Sequence, residues 1–143
     1  MANDIYSKIT LPAVRPSAVS SQMYRGFSTV NPNTEDFVLY DYDLIKQDII
    51  NHFHVRQGER LMNPRFGTVI WDLLFEPLTE QVKDLIVKNV NEIINFDPRV
   101  KASEVVVTSY DTGIQIQCTL TYLVYNLSER MQLKFDQDNG LLV

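Results

Sequence analysis

The sequence predicts one α+β domain, with two helices packed on one face of an antiparallel β-meander. Three observations predict it. Apolar residues recur at helical spacing in two separate segments of the 143-residue chain. A clean apolar–polar alternation then runs from Ile114 to Val124. Turn-forming residues divide the chain around that alternation into short β-compatible runs.

Residues 1–40 read differently from the rest. Pro12, Pro16 and Pro32 interrupt them, and no period is sustained. Ile5, Tyr6, Ile9, Leu11, Val14, Met23, Tyr24, Phe27 and Val30 still give this arm apolar surface, more than a solvated tail carries. The expectation is an irregular N-terminal arm over 1–40 that packs along its own domain or a neighbour, followed by a single domain over 41–143.

A first helix is expected from about Tyr42 to Val55, with Asp41 or Asp43 capping the free amides at its start. Leu44, Ile45, Ile49 and Phe53 form its apolar stripe, and Gly58 follows its end. A second helix begins after Thr79, a suitable N-cap. Val82, Leu85, Ile86, Val90, Ile93 and Ile94 make a broad stripe, with Asp84 and Lys88 four apart on the opposite face. Pro77 and Pro98 bracket the segment, since neither ring fits inside a helix. Three strands should follow. Glu104 to Tyr110 is valine-rich, and Asp111-Thr112-Gly113 offers a turn in which glycine is free to take a positive φ. From Ile114, the residues Ile116, Cys118, Leu120, Tyr122 and Val124 face one way while Gln115, Gln117, Thr119 and Thr121 face the other. A second turn over Asn126 to Arg130 precedes the alternation of Met131, Leu133 and Phe135.

Composition narrows the function classes. The net charge is −5, and the thirteen basic residues are scattered, which argues against a nucleic-acid or anionic-membrane surface. No uncharged run reaches a membrane span, and the opening MANDIYSKIT lacks a signal-peptide pattern. The protein is expected to be made and used in a cytoplasm, or built into a particle assembled there. Cys118, the single cysteine, cannot form an intrachain disulfide and sits mid-strand as a small core residue. His52 and His54 are two apart on a helix and point to different faces, so they make no metal pair. The five glycines form no phosphate loop. No metal or cofactor is expected.

Two segments remain. Residues 58–79, GERLMNPRFGTVIWDLLFEPLT, carry more apolar surface than an idle loop: Leu61, Phe66, Val69, Ile70, Trp71, Leu73, Leu74 and Phe75. The segment either closes the core or forms a partly exposed platform for another subunit. After the second helix comes Asp97-Pro98-Arg99, where proline stiffens the chain between an acid and a guanidinium. Arginine there can hold a carboxylate with two parallel hydrogen bonds, or simply end the helix.

Gly58-Glu59-Arg60, Asn63-Pro64, Phe66-Gly67 and Leu74-Phe75-Glu76-Pro77 stand in that order, followed by an amphipathic helix and Asp97-Pro98-Arg99 before a meander. This succession, over residues 41–136, resembles the baseplate-wedge family of contractile phage tails, which also contains the matching type VI secretion baseplate component. The family usually has Glu-Pro-Arg where this chain has Asp97, an acid one methylene shorter. The resemblance implies a structural subunit of the virion's tail baseplate, assembled in the host cytoplasm. It also implies a domain similar to the inter-subunit linking domain of the sheath protein. Its acid-Pro-Arg motif would hold it against the helix bundle of the other wedge proteins. Its strands would be extended by the first sheath ring, initiating the sheath. The positions so marked for protein binding are Asp97, Pro98, Arg99, Phe66, Gly67, Phe75 and Glu76.

Two other classes stay open. Some family members are labelled tail lysozymes, and Glu76, Glu80, Asp72 and Asp97 are the carboxylates such an enzyme would draw on. None comes with an aromatic-lined, polar cleft signature, and the expectation is that the chain is not an enzyme. A regulatory adaptor of the same fold is the third class, since a fold does not define a function.

Overall fold

The computed structural model describes residues 23–28 and 38–143. Of the arm expected over residues 1–40, residues 1–22 and 29–37 lie outside the described residues. Its described part is a two-stranded antiparallel ladder, β1 (Arg25–Phe27) with β2 (Val38–Tyr40), in register Gly26 to Leu39. Helix α1 (Asp41–His54), a single turn α2 (Ile70–Leu73) and helix α3 (Glu80–Phe96) follow. They precede a four-stranded antiparallel sheet in the order β3 (Val100–Tyr110), β4 (Gly113–Tyr122), β5 (Leu127–Asp136), β6 (Gly140–Leu142).

The predicted stripes are the core. Ile45, Ile49, Ile50 and Phe53 of α1 and Ile86, Val90, Ile93 and Ile94 of α3 are buried against Ile114, Ile116, Leu120, Tyr122, Leu133 and Phe135. Each such side chain removed from water contributes about 1.5–3 kcal/mol. Cys118 is buried among them, and burial pushes its thiol up to about 11, so it is no nucleophile at neutral pH. Thr79 caps α3 as expected, its hydroxyl accepting from the Val82 amide at 3.3 Å.

Several local expectations need correction. Neither Asp41 nor Asp43 caps α1; the N-cap is Tyr40, and no side chain bonds there. Asp41 instead takes a left-handed conformation, φ 51°. Its carboxylate accepts from the Met23 and Tyr24 amides and from the Tyr125 hydroxyl at 2.8 Å. It fastens the β1 segment and the β4–β5 turn to the helix start, and these bonds, Tyr125's foremost, hold its pKa low. Leu85 is 47% exposed, because it falls at the margin of the α3 stripe. Lys88 approaches Glu92, one turn onward, rather than Asp84. Val124 leaves the alternation: β4 ends at Tyr122, and Asn126 in the left-handed region (φ 48°) turns the chain earlier than expected. Gly113 does not take a positive φ. It is needed because a side chain there would collide with the Phe135 carbonyl across the ladder. β3 starts before Glu104, at Val100, with a bulge between Ser103 and Val106. The short β6 was not anticipated.

Candidate functional site

The chain leaves α3 at Asp97, whose amide still bonds to the Ile94 carbonyl. Pro98 then forces an extended corner, and the Val100 amide returns to the Asp97 carbonyl, so Asp97-Pro98-Arg99 is a closed tight turn. Asp97 Oδ1 accepts from both the Arg99 amide (3.0 Å) and Nε (2.8 Å). Nη2 of Arg99 bonds to the second Asp97 oxygen and to Asp48 Oδ2 of α1 at 3.1 Å. Its guanidinium carbon lies 4.9 Å from the centre of the Tyr24 ring, and its carbonyl accepts from the Leu123 amide. One arginine thus joins α1, the end of α3, the β1 segment and the end of β4. Burial works against the Asp97 carboxylate, but the hydrogen bonds and charge of Arg99 outweigh it and leave its pKa lowered. The Arg99 pKa is raised, chiefly by the Asp97 bond.

The facing wall comes from α1 and the connector. His52 is buried, and its Nε2 accepts from the Gly67 amide at 3.2 Å. Its ring stacks on Phe66 at 3.8 Å, while Phe96 meets both rings edge-on. Arg60 covers the Phe66 ring, its guanidinium carbon 3.8 Å from the centroid. Gly67 sits at φ 113°, where a side-chain carbon would fall 2.6 Å from the Val55 carbonyl oxygen. Only glycine fits both the conformation and the space. Below, buried Asn89 accepts from the Thr68 hydroxyl (2.8 Å) and the Val69 amide (3.3 Å), fixing the connector onto α3.

Between these walls lies an open groove of about 530 Å³, lined by Asp48, His52, Arg60, Phe66, Phe96 and the Asp97–Arg99 turn among others. A hollow of about 210 Å³ next to it touches Gly67, Arg65 and Asn89. Of the positions singled out from the sequence, the structure brings together Asp97, Pro98, Arg99 and Phe66, with Gly67 just behind. Phe75 and Glu76 do not belong to this groove. They are exposed beyond α2, next to Leu74, whose carbonyl takes a hydrogen bond from Gln137. The connector divides between its two readings: Ile70, Leu73 and Leu74 close the core, whereas Leu61, Met62 and Phe75 are exposed. Sequence reasoning missed Asp48, His52, Arg60 and Phe96. The signal for the first two was their spacing of four on α1, which puts both on one helix face.

The family described as "Baseplate wedge protein gp25" matches residues 41–126, from the start of α1 to the β4–β5 turn. No curated protein matches the chain. Two solved structures share the fold. One is a "putative tail lysozyme" from Geobacter sulfurreducens, 22% identical, TM-score 0.58, covering 66% of this chain and 88% of its own. The other comes from the anti-feeding prophage baseplate, 21% identical, TM-score 0.58, covering 70% of this chain and 85% of its own.

Proposed function

This chain belongs to the baseplate wedge protein gp25 family, a structural component of the tail baseplate, and from that premise we propose that it joins the wedge's helix bundle to the first sheath ring. The observation that carries the reading is the Asp97-Pro98-Arg99 turn, held rigid at the rim of a groove with apolar floor and charged margins. A preorganised corner of this kind loses little freedom on docking. Its outer surface suits a packed helix pair, with Pro98 exposed and Phe96 66% exposed beside it.

The sheet supports the second half of the proposal. β6 pairs only with Lys134, Phe135 and Asp136, so Leu127 to Leu133 of β5 have a strand on one side alone among the described residues. The opposite edge, β3, carries the Ser103/Val106 bulge with Glu104 at φ 52°, a device that discourages strand addition. A sheath strand would therefore add along β5, in the manner of the sheath's own inter-subunit linking domain.

We further propose that the chain is not an enzyme and works without a cofactor, nucleic acid or membrane, in a tail assembled in the host cytoplasm. Three of the four candidate carboxylates are paired with a cation: Asp72 with Arg56, Glu80 with Lys83, and Asp97 with Arg99, its pKa lowered, opposite to what a general acid needs. Glu76 is exposed outside the groove. Imaging of the assembled tail end tests the joining role. The proposal expects helices against the Asp97–Arg99 turn and a foreign strand along Leu127 to Leu133; both surfaces facing solvent would refute it.

A further inference from the structure

The connector contains a feature that the joining role leaves unused. Leu61 and Met62 are 95% and 99% exposed, two large apolar side chains adjacent in sequence at the tip of one loop. Exposed apolar residues standing singly call for no explanation. This pair stands on a braced support. At the loop's base the Thr68 amide bonds to the Val55 carbonyl at 2.8 Å and the Gln57 amide to the Thr68 carbonyl at 3.0 Å. Higher up, the Gly58 amide reaches the Pro64 carbonyl at 2.9 Å, and the Asn63 amide closes a turn onto Arg60 around the Leu61–Met62 pair. Glu59 turns inward to the Arg56 amide, and Arg60 lies on Phe66. The tip is thus held out by its own backbone bonds.

Charge distinguishes the loop as well. Arg56 is paired with Asp72, but neither Arg60 nor Arg65 has a carboxylate partner among the described residues. Two guanidinium groups without a carboxylate partner among the described residues therefore flank an apolar tip, on a chain whose net charge is −5. Arg60 also lines the groove beside Arg99, so the tip continues the surface assigned above to docking.

We propose that Leu61 and Met62 form a preorganised knob that seats in an apolar socket, rimmed by carboxylates, on a neighbouring baseplate protein. This rests on the baseplate role of the chain and adds a second anchor to the Arg99 corner. Apolar side chains that become fully desolvated in a socket carry binding energy out of proportion to their number, and flanking charges set orientation and association rate.

The test uses the full-length chain and the remaining proteins of its baseplate, co-expressed as a set and purified. The double variant Leu61→Ser, Met62→Ser should melt like the parent and bind the set at least about 30-fold more weakly. The double variant Leu61→Ile, Met62→Leu should retain binding, and Arg65→Glu should slow association and flatten its salt dependence. Parental binding by the serine variant overturns the knob. So does binding of the parent to anionic phospholipid vesicles that the serine variant loses while its protein binding stays intact. Arg99→Ala, measured alongside, separates the two anchors. Loss with Arg99→Ala alone removes the knob and keeps the corner, whereas loss with the serine variant alone keeps the knob and removes the corner.

Discussion

The Nε2 of His52 lies 3.2 Å from the backbone N–H of Gly67 and accepts its hydrogen bond. An acceptor nitrogen carries no proton, so His52 is neutral with its hydrogen on Nδ1. Through this bond the first helix holds the connector at Gly67, one of its two glycines with a positive φ. Phe66, the neighbouring residue, is thereby set flat on the imidazole.

A pH dependence follows. Burial, and then the charge of Arg60, lowers the His52 pKa from 6.5 in the folded state. The unfolded chain therefore binds this proton first as pH falls, and stability drops below about pH 6.5 until the folded imidazole also titrates. Thermal melts between pH 7.5 and 5 should show a falling melting temperature, and His52→Gln should flatten that slope while lowering the plateau. An equal slope in parent and variant would assign the effect to other groups.

Gly67→Ala tests the connector from the other side. The left-handed backbone alone costs an L-residue about 1–3 kcal/mol, and the new methyl would meet the Val55 carbonyl. Chemical denaturation should show a loss at the upper end of that range or beyond, with the Gly67–His52 bond broken. A change under about 1 kcal/mol would mean that the chain relaxes here at little cost.

Much of this architecture was legible because it is periodic. The stripes of α1 and α3 and the alternation of β4 each repeat, and a repeat survives errors at single positions. The corners were less legible. Asp41 reads as a cap by residue type, yet its carboxylate serves Tyr125, whose contact 84 residues away no local pattern encodes. The site divided along the same line. Asp97-Pro98-Arg99 was visible as contiguous chemistry and Phe66 through its motif, whereas Asp48 and His52 were not, because they meet the turn only through tertiary packing. Phe75 and Glu76, close in motif order, lie outside the groove because α2 turns the chain between them and Phe66.

Purified protein should not clear peptidoglycan suspensions. Glu76 is exposed between Phe75 and Pro77, and the Asp97 carboxylate is locked as the anion by Arg99. Clearing that disappears in a Glu76→Gln variant would establish a glycosidase and displace the purely structural assignment.

The central claim is that the Asp97–Arg99 turn is a docking corner, and Arg99→Ala addresses it most directly. Within the subunit this change removes the bonds to Asp97 and Asp48, so the isolated protein should remain folded and melt cooperatively a few degrees below the parent. At the interface it should cost about 2–5 kcal/mol, because partner groups lose a charged donor they cannot replace. Arg99→Lys should recover only part, since an ammonium cannot reproduce the fork. The decisive measurement is co-purification of the folded Arg99→Ala subunit with the other wedge proteins. The account predicts that it fails to assemble. Assembly at the parental level by that folded variant would contradict it, leaving Arg99 as an internal tie between the helices and the sheet.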